Sequence, residues 1–214
     1  MTGTGAGRTI TRARTFDVPL TMGVIADTHV FPGAPRQIHP EVLDLFRRAE
    51  VDLLVHLGDV NTRTVLDDLA EVAPLLAVRG NNDDAELQAM LPLSLRLTVG
   101  LHAVRALHGH GGRSARDEAI RQFAGKADLV LFGHSHKPLV EVVKESILFN
   151  PGSATDRRWF AHFGVGVIRF TADAIDPELV LFEHPSHLVN IAFSSSRTDN
   201  RSSDLPGSPH GSDN

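Results

Sequence analysis

The sequence predicts an α/β fold of two packed sheets with helices outside. Three observations carry that expectation. Short apolar runs alternate with helix-spaced segments through the first half of the chain. The second half turns strand-rich, with turn residues between short apolar runs. Nearly every buried-looking run also ends on a polar side chain able to bind a ligand, as strands do when their carboxyl ends open into one crevice.

Residues 20–26 form an apolar run that stops at Asp27 and reads as a buried strand. Residues 40–50 space Val42, Leu43, Leu45, Phe46 and Ala49 as a helix, with proline in the first turn. Residues 51–57 repeat the strand pattern and stop at Gly58-Asp59. Residues 64–72 are helical again, through Val65, Leu66, Leu69 and Ala70. A third strand over 75–78 stops at Gly80-Asn81-Asn82-Asp83, and 84–90 suits one or two helical turns. Residues 95–99 and 101–107 flank Gly100 as a hairpin. A helix over 114–125 takes Ser114 as its cap and turns Ala115, Ala119, Ile120 and Phe123 inward. Residues 128–132 are a buried strand that stops at Gly133-His134. Short strands follow over 139–143, 147–149, 164–170 and 179–182.

The 214 residues suit one domain over 20–190. The glycine- and arginine-bearing stretch 1–19 reads as a flexible leader, and the serine-rich stretch 191–214 as a disordered tail. The chain has no cysteine but twelve histidines. That excludes thiolate zinc sites, iron–sulfur clusters and a cysteine nucleophile, so any metal must sit among imidazoles, carboxylates and amides. A net charge of −5 disfavours nucleic acid as a partner. No run is long enough to span a membrane, and no secretory signal pattern opens the chain, so the expected setting is cytoplasmic.

The polar ends of the runs are Asp27 and His29, Asp59, Asn81, His108, then His134 and His136. Seven nitrogen and oxygen donors from five loops are enough for two metal ions, whereas one closed structural zinc takes four. Each motif alone has a bland reading. Gly58-Asp59 and Gly80-Asn81-Asn82-Asp83 are ordinary turn chemistry. The paired imidazoles of His108-Gly109-His110 and His134-Ser135-His136 are more telling, because they bring two neutral nitrogen ligands close together.

In this order, Asp27-Thr28-His29, Gly58-Asp59, Gly80-Asn81, His108-Gly109-His110 and Gly133-His134-Ser135-His136 resemble the calcineurin-like metallophosphoesterases. The short spacings, Val78-Arg79-Gly80-Asn81 and Asn150-Pro151-Gly152-Ser153 resemble that family's compact YfcE-like phosphodiesterase branch. The likeness spans roughly residues 21–183. It implies a four-layer fold, a two-sheet β-sandwich flanked by helices. It implies one metal ion held by Asp27, His29, Asp59 and His136, and a second held by Asp59, Asn81, His108 and His134, with Asp59 bridging. It implies a phosphodiesterase acting on a small-molecule phosphate ester, with a metal-bridging hydroxide attacking phosphorus in line with the leaving oxygen. The expected cofactors are two divalent transition metal ions. Manganese leads, with iron, nickel or zinc as alternatives, while hard magnesium suits four histidines less well.

One position departs from the family pattern. Many members carry histidine directly after the metal-binding asparagine, and here that place is Asn82. An amide can orient an oxygen but is a poor proton donor, so activated diesters are the expected substrates. Asn82 and His110 are the candidate catalytic residues. His110 either orients His108 or touches phosphate, and a structural role stays open. Asn150-Pro151-Gly152-Ser153 acts near the site through its backbone amides or is a plain turn. Arg79 reads as a partner in an internal ion pair before a phosphate contact. His56, inside an apolar run, reads as a core histidine. A retromer subunit of this fold looks like a phosphoesterase turned interaction scaffold, and that is the alternative function. An exposed apolar face on the second-half strands would support a homodimer.

Overall fold

A computed structural model describes residues 14–193, apart from positions 32, 34, 35 and 113. The expected leader through residue 13 and the expected tail from residue 194 lie outside the described residues. One sheet orders β11 (Ile175–Phe182), β10 (Phe163–Phe170), β2 (Leu20–Ile25), β3 (Leu53–His56) and β4 (Leu75–Ala77). The other orders β1 (Arg14–Phe16), β5 (Ser94–Val99), β6 (His102–Leu107), β7 (Leu129–Phe132), β9 (Ser146–Asn150) and β8 (Leu139–Val143). The helices are α1 (Pro40–Arg48), α2 (Arg63–Ala70), α3 (Ala85–Met90) and α4 (Ala115–Phe123), and a 3₁₀ turn covers Pro185–Asn190.

Side-chain alternation along the strands sorts the apolar residues into three layers. Leu53 and Val55 face the opposite sheet, where they meet Leu129, Leu131 and Phe149, while Leu54 between them faces Phe46 and Val42 of α1. On the second sheet Val130 and Phe132 turn outward against Ala119 and Phe123 of α4. The result is helix, sheet, sheet, helix, the four-layer sandwich that the sequence predicts. The helices form where local signals agree. Proline opens α1, the Ser114 hydroxyl accepts from the Asp117 N–H at the start of α4, and Asp84 caps α3 by accepting from the Leu87 N–H.

Three stretches differ from the sequence reading. Arg14–Phe16 is a strand inside the expected leader, paired in parallel with β5, because Phe16 and Val18 pack into the layer between the sheets. Strand β11 begins at Ile175, four residues before the expected start. Pro177 masks it in the sequence, and the strand tolerates proline because it is an edge. At the expected tail, Ile191 and Phe193 pack against the α1-side core, and the Arg169 guanidinium lies 5.4 Å from the Phe193 ring centre. The expected exposed apolar face falls on β8, an edge strand, where Val140 and Val142 point to solvent. No helix among the described residues is long and apolar enough to cross a membrane.

Strand direction positions the site. β2, β3 and β4 run parallel, as do β6, β7 and β9. Their carboxyl ends therefore deliver the loops of Asp27, Asp59, Asn81, His108, His134 and Asn150. Those loops extend the strand pairing: Asp27 N–H donates to the Gly58 carbonyl and Gly133 N–H to the His108 carbonyl, at 3.0 and 3.2 Å.

The two sheets approach closely at Gly166, where an added Cβ would lie 2.5 Å from Phe149 Cε1. Gly166→Ala is expected to cost about 1–3 kcal/mol through overpacking. The thermal midpoint should fall by about 2–4 °C per kcal/mol. An unchanged midpoint in differential scanning calorimetry would contradict that close approach.

Candidate metal centre

Most candidate ligands sit on backbone that L-residues avoid. Asp27 (φ 53°), His29 (46°), Asp59 (57°), His134 (66°) and His136 (55°) are all left-handed. Each such residue costs of order 1–3 kcal/mol and persists only where its surroundings dictate it. The conformation turns each side chain sharply off its strand toward the common crevice. Gly80 makes the closest approach possible, since a Cβ there would overlap both the backbone N and Oδ1 of Asp59.

The donors collect into two groups. Asp27, His29 and His136 present ligand atoms within 4.8 Å of one another, and so do Asp59, His108 and His134. In the first group the Nε2 atoms of His29 and His136 face each other at 3.1 Å across nearly parallel rings. In the second, His108 Nε2 lies 3.3 Å from His134 Nδ1 and 3.1 Å from Asn81 Oδ1. Asp59 reaches both groups: Oδ2 is 3.5 Å from His29 Nε2 and Oδ1 is 3.3 Å from His108 Nε2. The seven ligand positions predicted from sequence thus lie around one crevice.

The rings are aimed by backbone carbonyls. His108 Nδ1–H donates to the Leu57 carbonyl at 2.7 Å, and His136 Nδ1–H donates to the Asp156 carbonyl. In both cases Nε2 is left facing the centre. His110 therefore does not orient His108. Its ring is exposed, 5.4 Å from that of His108 and 6.4 Å from that of His134. Asn82 donates its backbone N–H to Asp59 Oδ1 and its side-chain amide to Asp59 Oδ2, at 2.8 and 2.7 Å. Arg79 donates to the Gln88 carbonyl rather than to a carboxylate.

A set of buried side chains that sequence reasoning left unassigned locks the loops together. Asp83 accepts from the N–H groups of Val60, Asn61 and Gly80 at 2.6, 3.0 and 2.7 Å, tying the Asp59 loop to the Asn81 loop. His56 is fully buried. Its Nδ1 accepts from the Gly58 N–H, so Nε2–H is the donor to Thr28 Oγ1 at 3.1 Å. Asn150 Nδ2 donates to the Gly133 carbonyl and to Ser135 Oγ, while Ser153 Oγ donates to the Asp27 carbonyl at 2.7 Å. The side chains of the Asn150–Ser153 stretch thus join the loops after β7 and β2, and the Gly152 N–H donates within the stretch to Asn150 Oδ1. Polar residues beside a motif and interrupting an apolar run were the only signal in the sequence.

The electrostatics favour a bound cation. Burial pushes the Asp27 carboxyl up to about 8, an effect the neighbouring His108 only partly offsets. Its Oδ1 accepts from the His134 N–H, but Oδ2 is buried with no hydrogen-bond partner. Burial opposes charge on His108 too, yet its bond to Asp59 and the nearby Asp27 carboxylate raise it to about 9. Asp59 is held well below the usual carboxylate range: burial raises it, but His108 and Asn82 outweigh that. His29, His134 and His136 are all lowered, chiefly by burial, and so offer neutral nitrogens. An orphaned carboxyl oxygen on Asp27, an imidazolium on His108 beside the Asp59 carboxylate, and neutral imidazoles around them fit divalent ions of the nitrogen- and oxygen-binding kind.

The comparisons with known proteins agree with this geometry. The family model for the calcineurin-like phosphoesterase superfamily domain matches residues 20–173. A probable metallophosphoesterase of Methanothermobacter thermautotrophicus is 30% identical over 163 residues, which cover 75% of this chain and 92% of that one. The Escherichia coli phosphodiesterase YfcE is 30% identical over 133 residues, covering 53% of this chain and 70% of its own. Among solved structures, Vps29 of Chaetomium thermophilum superimposes with a TM-score of 0.64 at 21% identity, over 76% of this chain and 98% of that one.

Two outcomes follow from the geometry. In the metal-free protein Asp27 and His108 hold protons up to about pH 8 and 9. A cation needs both atoms bare, so binding at pH 7 should release protons, and affinity should rise as pH climbs from 7 to 9. Calorimetry in two buffers of different ionisation enthalpy reads the released protons; none released contradicts the assignment. Gly80→Ala should displace Asp59 and lower metal affinity at least about tenfold, in the range seen for disturbed ligand supports. Elemental analysis after dialysis against defined metal checks it.

Proposed function

This chain belongs to the calcineurin-like phosphoesterase superfamily, and from that premise we propose that it is a binuclear metal-dependent phosphodiesterase acting on small phosphate esters. The observation that carries the reading is the Asp59 carboxylate, with one oxygen toward His29 and the other toward His108. Asp27, His29, Asp59 and His136 would hold one ion, and Asp59, Asn81, His108 and His134 the other. Manganese is the leading metal, with iron, nickel and zinc as alternatives. Bound there, the ions would supply the Lewis-acid chemistry of two-metal phosphoryl transfer, an activated nucleophile and neutralised equatorial charge.

The chain's own residues do the positioning. Leu57 and Asp156 carbonyls keep the Nε2 lone pairs of His108 and His136 inward. Asn82 holds both Asp59 oxygens in place, which supports a role in steadying the bridging carboxylate. His110, exposed at the rim beside His108 and His134, would touch a phosphate oxygen in this reading. No group at position 82 can protonate a departing alkoxide efficiently, so diesters with acidic leaving groups should react fastest.

The first test is hydrolysis of bis(p-nitrophenyl) phosphate by manganese-loaded protein, with and without chelator. Activity should vanish with chelator and return with metal. Asp59→Asn should lower kcat/KM by more than about 100-fold, beyond the loss typical of a ligand's supporting partner. The likeness to Vps29 favours a second reading, an interaction scaffold of this fold. A folded protein that retains no metal and hydrolyses no ester would favour that reading instead. The second test replaces Asn82 with histidine. Alkyl diesters should gain on aryl diesters by about tenfold or more, as a proton donor is restored. Unchanged selectivity would sink the leaving-group argument.

A further inference from the structure

We propose that Arg36 and Arg158 form an anion subsite beside the His29–His136 side of the centre, and that it binds a second phosphate group carried by the substrate. This rests on the phosphoesterase reading and narrows its substrate class to diesters bearing an additional phosphate.

Both guanidinium groups converge on a single carboxylate. Arg36 Nη1 lies 3.1 Å from Asp156 Oδ2, and Arg158 Nε lies 3.9 Å from the same oxygen. Two positive charges against one negative leave one in surplus. The donors are in surplus as well. A guanidinium carries five N–H donors, and Arg158 stands beyond hydrogen-bond distance of its partner. Both side chains are open to solvent, 37% and 42% exposed, and so can meet a ligand.

The cluster is fastened to the centre. The Asp156 carbonyl accepts from His136 Nδ1–H, and the Asp156 N–H donates to Ser153 Oγ, which in turn donates to the Asp27 carbonyl. The charge of Arg158 is felt at Asp27, His29 and His136, and that of Arg36 at His29. Arg158 also has left-handed backbone (φ 51°), an uncommon state for a non-glycine residue and one that turns its side chain off the path of the loop. On the opposite rim Asn81 and Asn82 are neutral, and Arg79, which donates to the Gln88 carbonyl, has its charge felt at His110 rather than at the His29–His136 side.

A simple phosphodiester brings one negative charge, which two ions bound at the centre would already meet. The surplus guanidinium charge next door has no counterpart in such a substrate. A planar fork of donors matches the oxygens of a phosphate in a bidentate manner, so a second phosphate supplies both the charge and the geometry.

The test compares two esters that differ only in that group: thymidine 5′-(p-nitrophenyl phosphate), with and without a 3′-phosphate. Metal-loaded wild-type protein should prefer the 3′-phosphorylated ester in kcat/KM by about tenfold or more, mainly through KM, as charge-assisted hydrogen bonds imply. In the double variant Arg36→Gln, Arg158→Asn the ratio of the two should fall toward one. Asparagine is chosen at 158 because it tolerates left-handed backbone. A ratio near one in the wild type, or a ratio unaltered in the variant, overturns the subsite. General structural damage slows both esters and does not move the ratio. Should the wild type hydrolyse neither ester, hydrolysis of bis(p-nitrophenyl) phosphate alone decides the phosphoesterase reading. The subsite is then judged by calorimetric binding of thymidine 3′,5′-bisphosphate against the 5′-monophosphate. A preference abolished in the double variant supports it; no preference, or one unaffected by the substitutions, overturns it.

Discussion

A carboxylate placed beyond the reach of water must be met by positive charge, and Asp27 imposes that requirement on everything around it. Its side chain is fully buried, and one of its oxygens has no hydrogen-bond partner. Leaving a charge in that state costs several kcal/mol, so the group either keeps a proton or acquires a cation. Without metal the protein does both in part: the Asp27 carboxyl rises to about 8, and His108 stays protonated to about 9 beside it. An imidazolium beside the Asp59 carboxylate, with a proton kept on Asp27, is a weak substitute for a dication. The centre is therefore built in an electrostatic state that metal binding relieves, and the protons displaced are those the fold has stored.

The same centre stores conformational strain. Five candidate ligands adopt left-handed backbone, at a cost of order 1–3 kcal/mol each. What offsets this is a buried lattice of polar contacts spanning both sheets. Asp83 ties the Asp59 and Asn81 loops, His56 and Thr28 link the Asp27 loop to that of Asp59, and Asn150 with Ser153 joins the loops of β7 and β2. The His134 N–H to Asp27 Oδ1 bond crosses between the sheets directly. Three apolar layers hold the two sheets in register, so these short contacts between them can form. Packing thus reaches the chemistry through geometry: a shift of one sheet against the other would separate the two ligand groups that Asp59 spans.

Much of this was legible from residues alone. Apolar runs ending on Asp27, Asp59, His108 and His134 marked both the strands and the candidate ligands, because a parallel strand buries its length and exposes its carboxyl end. Helix positions followed from spacing and, for the Ala115–Phe123 helix, from the cap at Ser114. The failures have physical reasons too. Strand Arg14–Phe16 is too short to show a period, and its partner β5 lies some eighty positions along the chain. Pro177 signals a break, and only its place on an edge makes it acceptable. Asp83 read as part of a turn because its three partners are backbone N–H groups, which no side-chain pattern reveals.

The order of the motifs, the absence of thiols and the alternation of apolar runs were enough to determine the fold class and which residue types could meet a metal. These are properties of composition and of local period, and both are written along the chain. Only the tertiary structure decided that Asn82 grips the Asp59 oxygens, that carbonyls aim the histidines and that Arg36 and Arg158 share Asp156. Apart from the Arg158–Asp156 contact, which is local, those relations depend on distances between residues 20 to 120 positions apart, and the register of packed sheets sets such distances.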